Sequence, residues 1–214
     1  MPKDKITLED FKNIFINIRN DIELNAKYLR ELDSVIGDGD HGTTIAKGFN
    51  KAINQIEADN PSSIKNLILI VGNAIIDSVG GVTGVVFGSM FTSMGEAVPE
   101  NATTVGIEEL IEMFEKGLDS SLTIGKGAKP GEKTMVDALY PAVLSLKKSF
   151  NENKTLKEAL EEISVAADKG ALSTKDMIAA KGRARYLGER SIGYQDPGAT
   201  SISIIIKSFY NYFK

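Results

Sequence analysis

Leu32-Asp33-Ser34-Val35-Ile36-Gly37-Asp38-Gly39-Asp40-His41-Gly42-Thr43-Thr44 gathers three aspartates, three glycines and the one histidine of the chain into a single short stretch. The spacing Gly37-x-Gly39-x-x-Gly42 fits the dinucleotide fingerprint of a doubly wound α/β fold, which requires a strand just before it. The preceding residues repeat at helical spacing instead: Phe11, Ile14, Phe15, Ile18, Ile22 and Leu29, behind Thr7, whose hydroxyl suits an N-cap. Helical spacing resumes beyond it in Ile45, Phe49, Ala52, Ile53 and Ile56. The stretch therefore reads as a connection between two helices. It is no EF-hand loop either, because a third acidic position is missing and Phe49 stands where the closing glutamate belongs.

Its chemistry points to a cation. Glycines at 37, 39 and 42 let the backbone turn Asp33, Asp38 and Asp40 towards one point. Carboxylates so placed repel one another unless a cation lies between them. An all-oxygen donor set selects a hard ion, Mg2+ or Ca2+, over zinc or copper. The competing reading is an acidic turn between helices. Asp33 weighs against it, since a carboxylate near a helix C-terminus opposes the macrodipole by up to about 1 kcal/mol unless a cation compensates.

Helical periodicity governs the rest of the chain. Pro61-Ser62-Ser63 opens a third helix whose apolar run through Ile76 predicts a central position. A fourth is expected over residues 82–97, stopping before Pro99. The fifth shows Ile107, Leu110, Ile111, Phe114 and Leu118, and the sixth Met135, Leu139, Val143 and Leu146, with a kink predicted at Pro141. Thr155-Leu156-Lys157-Glu158 is a capping box for the seventh, which places Leu156, Leu160, Ile163 and Ala167 inside. Asp196-Pro197 starts the eighth, whose Ile202, Ile205, Ile206, Phe209 and Phe213 favour helix over strand. The expected fold is all-α: one domain over residues 1–214, an antiparallel up-and-down arrangement of eight helices.

Composition narrows the function classes. A chain of 214 residues can bury one sizeable core. Its 25 basic and 29 acidic residues are mixed along the chain for a net charge of −4, and no basic stripe supports nucleic-acid binding. Cysteine is absent, which excludes disulfides, thiol nucleophiles and thiolate metal sites. Met1-Pro2-Lys3-Asp4-Lys5 leads into an amphipathic helix rather than an apolar signal core, and the apolar run at residues 67–71 is interrupted by Gly72 and Asn73. A cytoplasmic protein with no membrane span is expected.

Glycine-rich, non-periodic sequence recurs in four places: residues 37–44, 80–88, 125–134 and 182–198. In an up-and-down bundle every second connection lies at one end, so all four can meet there. Gly80-Gly81-Val82-Thr83-Gly84 offers helix N-terminal N–H groups and a hydroxyl to a phosphate, or small residues for close helix packing at Gly84 and Gly88. Gly125-Lys126-Gly127-Ala128-Lys129-Pro130-Gly131-Glu132-Lys133-Thr134 approaches a Walker A loop, but Glu132 separates Gly131 from Lys133 and a helix precedes it. It reads as a solvated loop or as a flap over a nucleotide. Lys181-Gly182-Arg183-Ala184-Arg185 is a basic helix face or a phosphate contact through Arg183. Asp196-Pro197-Gly198 is explained by the helix start alone.

Together these segments resemble the nucleotide-binding L subunits of bacterial dihydroxyacetone kinases. The resemblance runs in order through Leu32 to Gly42, Gly80 to Gly84, Pro130-Gly131-Glu132-Lys133-Thr134-Met135-Val136-Asp137-Ala138-Leu139 and a long final motif from Lys181 to Ser201. Here Val82-Thr83 stands where Ala-Ser is common, Tyr194 replaces a frequent histidine, and the loop around Ala128-Lys129 is one residue shorter than in some relatives.

The resemblance implies an eight-helix antiparallel barrel with ADP or ATP at one end. It implies Asp33, Asp38 and Asp40 as ligands of Mg2+ against the phosphates. It assigns His41, Gly42, Thr43, Thr44, Val82, Thr83, Gly127, Met135, Arg183, Asp196, Pro197 and Gly198 to the nucleotide. Dihydroxyacetone would be held on a histidine of a separate K subunit. In phosphotransferase-system versions an M subunit rephosphorylates bound ADP in place, and the lack of a fused K domain leans towards that version. The resemblance leaves a homodimer open. Two alternatives stand beside it: an ATP-exchanging kinase subunit for another hydroxyketone or sugar, and a non-catalytic nucleotide-sensing regulator, which the retained aspartates disfavour.

Overall fold

Thr7 sets the start of the first helix by a reciprocal cap. Its Oγ1 accepts the Asp10 N–H at 3.2 Å, and Asp10 Oδ2 accepts the Thr7 N–H at 2.8 Å. From there α1 (Leu8–Ile36) runs 29 residues and buries Phe11, Ile14, Phe15, Ile18, Ile22 and Leu29. The structure, a computed structural model, describes residues 4–214. Residues 1–3, on which part of the expectation about the N-terminus rests, lie outside them.

Eight α-helices follow one another among the described residues: α1, α2 (His41–Asp59), α3 (Ile64–Ser78), α4 (Gly81–Glu96), α5 (Ile107–Ile124), α6 (Val136–Asn151), α7 (Leu156–Ser173) and α8 (Pro197–Phe213). Several starts are dictated by sequence. Ser63 caps α3, the Thr155–Glu158 box caps α7, and Asp196 Oδ2 accepts the Ala199 N–H at 2.7 Å to cap α8. Each helix packs on its neighbours in the chain, and α8 returns against α1, closing the ring. Residues from all eight helices meet in one continuous apolar core.

The structure corrects one expectation and adds detail to two others. First, α3 is one wall of the ring and not a central helix: Ile76 is exposed, and Leu69 and Ile70 are half-buried. A closed ring gives every helix an outer face, and that of α3 happens to be apolar. Second, Pro141 lies inside a single helical element, α6. Third, the non-periodic segment before α8 contains 3-10 turns at Thr174–Asp176 and Ala184–Ser191. A two-residue antiparallel pair also went unread. β1 (Ile6–Thr7) and β2 (Thr104–Val105) join Ile6 to Val105 where α1 and α5 begin, at the end opposite the acidic stretch. No helix of the described residues is long and apolar enough to cross a membrane.

Candidate functional site

The acidic stretch is mostly helix, because α1 persists to Ile36 and α2 starts at His41, leaving residues 37–40 as the turn. Asp33 lies buried in the last turn of α1. Its Oδ2 accepts the N–H groups of Asp40 at 2.9 Å and His41 at 3.1 Å, so this carboxylate satisfies donors at the start of α2. The turn thereby wraps Asp38 and Asp40 around Asp33, with Gly39 at φ +75°. One carboxylate oxygen from each of the three aspartates lies within 4.8 Å of the others. That spacing suits a shared hard cation bound by oxygen. Partial burial, then the Asp38 and Asp33 carboxylates, push the Asp40 carboxyl up, while the Arg183 guanidinium opposes them.

His41 and Gly42 serve the packing of α2. The His41 imidazole turns into the core, where Nε2 lies 2.9 Å from Ser201 Oγ and the ring packs on Phe87. Burial draws its pKa down to about 4, against the pull of Asp33, so the ring is neutral at pH 7. The backbone of His41, rather than its ring, belongs to the turn. At Gly42 a Cβ would stand 2.0 Å from the Ala26 carbonyl oxygen, so only glycine permits this approach of α2 to α1. Thr43 is exposed, and Thr44 Oγ1 donates to the Asp40 carbonyl at 2.7 Å.

The four glycine-rich segments do come together at one end. Arg183 Nη2 is 2.9 Å from Asp38 Oδ2, and Lys181 Nζ donates to the Lys126 carbonyl at 3.1 Å. A Cβ on Gly198 would lie 3.5 Å from the Met135 Cβ, and His41 links α2 to both α4 and α8 through Phe87 and Ser201. At α4 the N-cap is Gly80, with no side-chain hydrogen bond to the first turn. Val82 is exposed and Thr83 half-buried there, so the leading N–H groups can take an anion. Gly84 and Gly88 are packing residues: Cβ atoms there would fall 1.9 Å from the Val79 carbonyl oxygen and 2.7 Å from that of Gly72. Gly127 is exposed at φ +68°, and Met135 is buried at the start of α6.

Around α8, Pro197 is buried and Asp196 and Gly198 are half-buried. Burial pushes the Asp196 carboxyl up to about 7; the Ala199 N–H opposes the shift, Asp137 adds to it and Lys133 lowers it. Sequence reasoning missed Lys133 and Asp137. Asp137 is buried and accepts the Gly131 and Thr134 N–H groups at 2.5 and 2.7 Å, holding the 125–134 loop on the start of α6. Lys133 is buried at φ +60° and donates to backbone carbonyls. Lys133 and Asp137 both stand in the motif that carries the resemblance, and Lys133 also in the failed Walker A comparison, but neither pattern assigns them a role.

Comparison with known proteins agrees with this arrangement. Residues 35–211 match the DAK2 domain. The chain is 42% identical over 182 residues to the PEP-dependent dihydroxyacetone kinase, ADP-binding subunit DhaL, of Escherichia coli K12, covering 85% of this chain and 86% of that one. It is 35% identical over 184 residues to the corresponding ADP-binding subunit DhaL of PEP-dependent dihydroxyacetone kinase 1 from Listeria innocua, covering 86% of each. Among solved structures, the dihydroxyacetone kinase from C. freundii in complex with AMP-PNP and Mg2+ superposes with a TM-score of 0.73 at 25% identity. That match covers 94% of this chain and 33% of the longer C. freundii chain.

Proposed function

This chain belongs to the DAK2 domain family, and we propose that it is the ADP/ATP-binding phosphoryl-donor subunit of a dihydroxyacetone kinase. The observation that carries this reading is the triad Asp33, Asp38 and Asp40, with its carboxylate oxygens within 4.8 Å of one another and Arg183 alongside. Its donor set is right for Mg2+, and the uncapped start of α4 is right for phosphate. The names of the relatives support nucleotide, substrate and phosphoenolpyruvate dependence.

On this reading Asp33, Asp38 and Asp40 hold Mg2+, which screens the charge of the phosphates. Asp33 is held in place by the Asp40 and His41 N–H groups. Arg183 reaches the phosphate side as a charged fork. The N–H groups at Val82 and Thr83 orient the phosphate chain. His41 to Thr44, Gly127, Met135 and Asp196 to Gly198 frame the rest of the nucleotide. Phosphoryl transfer demands chiefly positioning and charge neutralisation, both of which these residues supply.

The one histidine is buried on Ser201 and so is not presented to a sugar hydroxyl, and on this reading Asp33, Asp38 and Asp40 are engaged with the metal. The relatives are named as ADP-binding subunits of PEP-dependent kinases, which supports the reading that dihydroxyacetone is bound by a separate K subunit and that an M subunit restores bound ADP. The test is a coupled assay. The chain alone with ATP and dihydroxyacetone should form no dihydroxyacetone phosphate, and adding the K subunit should restore turnover. Denatured protein should release stoichiometric ADP if the donor is the phosphotransferase system. Robust phosphorylation by the isolated chain would overturn the division of labour.

A further inference from the structure

Lys133 is 2% exposed, yet it carries an ammonium group into the junction between the two loops that frame the α8 side of the site. Its Nζ donates to the carbonyls of Thr174 at 2.5 Å, Met177 at 3.3 Å and Tyr194 at 2.5 Å. An ammonium has three N–H bonds, and all three are used, which leaves none for a phosphate. The resemblance of the 125–134 loop to a phosphate-binding lysine loop is therefore misleading: this lysine binds backbone.

The three carbonyls belong to the segment that carries the nucleotide-facing residues. Thr174 opens the first 3-10 turn, Met177 follows it, and Tyr194 lies two residues before Asp196. Further bonds run between the same two segments: the Ala180 N–H to the Glu132 carbonyl at 3.1 Å, and Lys181 Nζ to Glu132 Oε2 at 3.5 Å. Within the second segment the Gly193 N–H donates to the Lys175 carbonyl at 2.7 Å, and the Asp196 N–H to Thr174 Oγ1 at 2.9 Å. Burial draws the Lys133 ammonium below its ordinary value, while Asp196, Asp176 and Asp137 act to keep it charged. Carbonyls gathered on one point repel each other, and a buried cation is the group that reconciles them.

We infer that Lys133 is a positioning residue: its ammonium clips residues 174–194 to the 125–134 loop and so fixes where Arg183 and Asp196 to Gly198 meet the nucleotide. The inference rests on the nucleotide-binding reading above, although the clip itself is testable without nucleotide. Charge delivered at one point, and not the volume of the side chain, is what the position requires.

The test compares K133M with wild type, and uses K133C alkylated in denaturant with 2-bromoethylamine and refolded. The chain has no other cysteine, so the ammonium is rebuilt at this one position. K133M should weaken MgADP binding at least tenfold by calorimetry while the helical circular dichroism persists, and the aminoethylated protein should recover to within about threefold of wild type. Amide exchange at Ala180 and Gly193 should accelerate in K133M without nucleotide, with α1 to α5 unchanged. If K133M does not fold, the wild-type protein suffices: nitrogen-15 spectra should show one lysine ammonium whose protons exchange slowly. Unchanged MgADP affinity and amide exchange in K133M, or no protected ammonium in wild type, would overturn the inference. If wild type fails to bind MgADP, the proposed function falls, and the exchange data still decide the clip.

Discussion

Arg183 Nη2 lies 2.9 Å from Asp38 Oδ2, which ties a candidate phosphate contact directly to a candidate metal ligand across 145 residues of sequence (183 − 38). Both side chains are accessible to solvent, at 70% and 39% exposure, so the pair is free to exchange partners. Without a cation the guanidinium partly neutralises the three carboxylates. On the proposed reading, Mg2+ and nucleotide would draw Asp38 to the metal and Arg183 to the phosphate.

Replacing Arg183 by Ala should therefore act in opposite directions on the two ligands. MgADP affinity should fall for want of the charged fork, whereas Mn2+ binding to nucleotide-free protein should tighten slightly. An exposed pair of this kind contributes roughly 0.2–1 kcal/mol, so the gain for Mn2+ stays below about fivefold. Paramagnetic titration with Mn2+ and calorimetry with MgADP measure the two arms. Weaker Mn2+ binding in the variant would show that the ion pair does not compete with the metal.

Asp38→Asn should abolish phosphoryl transfer with the K subunit and loosen nucleotide, because each lost carboxylate leaves phosphate charge uncompensated. Asp38 is exposed, so far-UV circular dichroism and the thermal midpoint should stay close to wild type. Normal turnover in the coupled assay would remove Asp38 from the metal site.

Gly42→Ala tests the packing that positions the triad. The new methyl would lie 2.0 Å from the Ala26 carbonyl oxygen, a backbone atom that cannot rotate away. Forcing α2 off α1 should cost about 1–3 kcal/mol. Urea unfolding should show this as a lower midpoint with an unchanged slope. An unaffected midpoint would mean that α1 and α2 separate there without penalty.

Asp196 sets a pH dependence with a definite sign. Its folded pKa of about 7 lies above the ordinary carboxyl value of 3.8, so the folded state binds the proton more tightly. The resulting stabilisation is fully present below 3.8 and is lost as pH rises through about 7. Asp196→Asn retains an oxygen for the Ala199 N–H and removes the titration. Wild-type stability minus that of the variant should therefore fall between pH 5 and pH 8. A difference independent of pH would place Asp196 in a more hydrated setting than its burial indicates.

The helices were legible because their information is local. The stripe from Phe11 to Leu29, the Thr155–Glu158 box and the Asp196-Pro197 start each act over a few residues, and all appear as read. The acidic triad was legible for the same reason, since Asp33, Asp38 and Asp40 span barely two turns of chain. The parity of an up-and-down bundle even placed the glycine-rich segments at one end, as the Arg183–Asp38, Lys181–Lys126 and His41–Phe87 contacts bear out.

Long-range packing decided the rest. Local pattern cannot tell a lysine aimed at solvent from one folded inward, so the burial of Lys133 against Thr174, Met177 and Tyr194 became visible only in three dimensions. His41 stands in an acidic turn by sequence, yet its ring belongs to the core because Ser201, 160 residues away, supplies a partner there. The apolar faces of α3 likewise carry no mark of which side meets the ring and which meets water. Periodicity specifies how a helix is striped; only closure of α8 on α1 settles which stripe is inside.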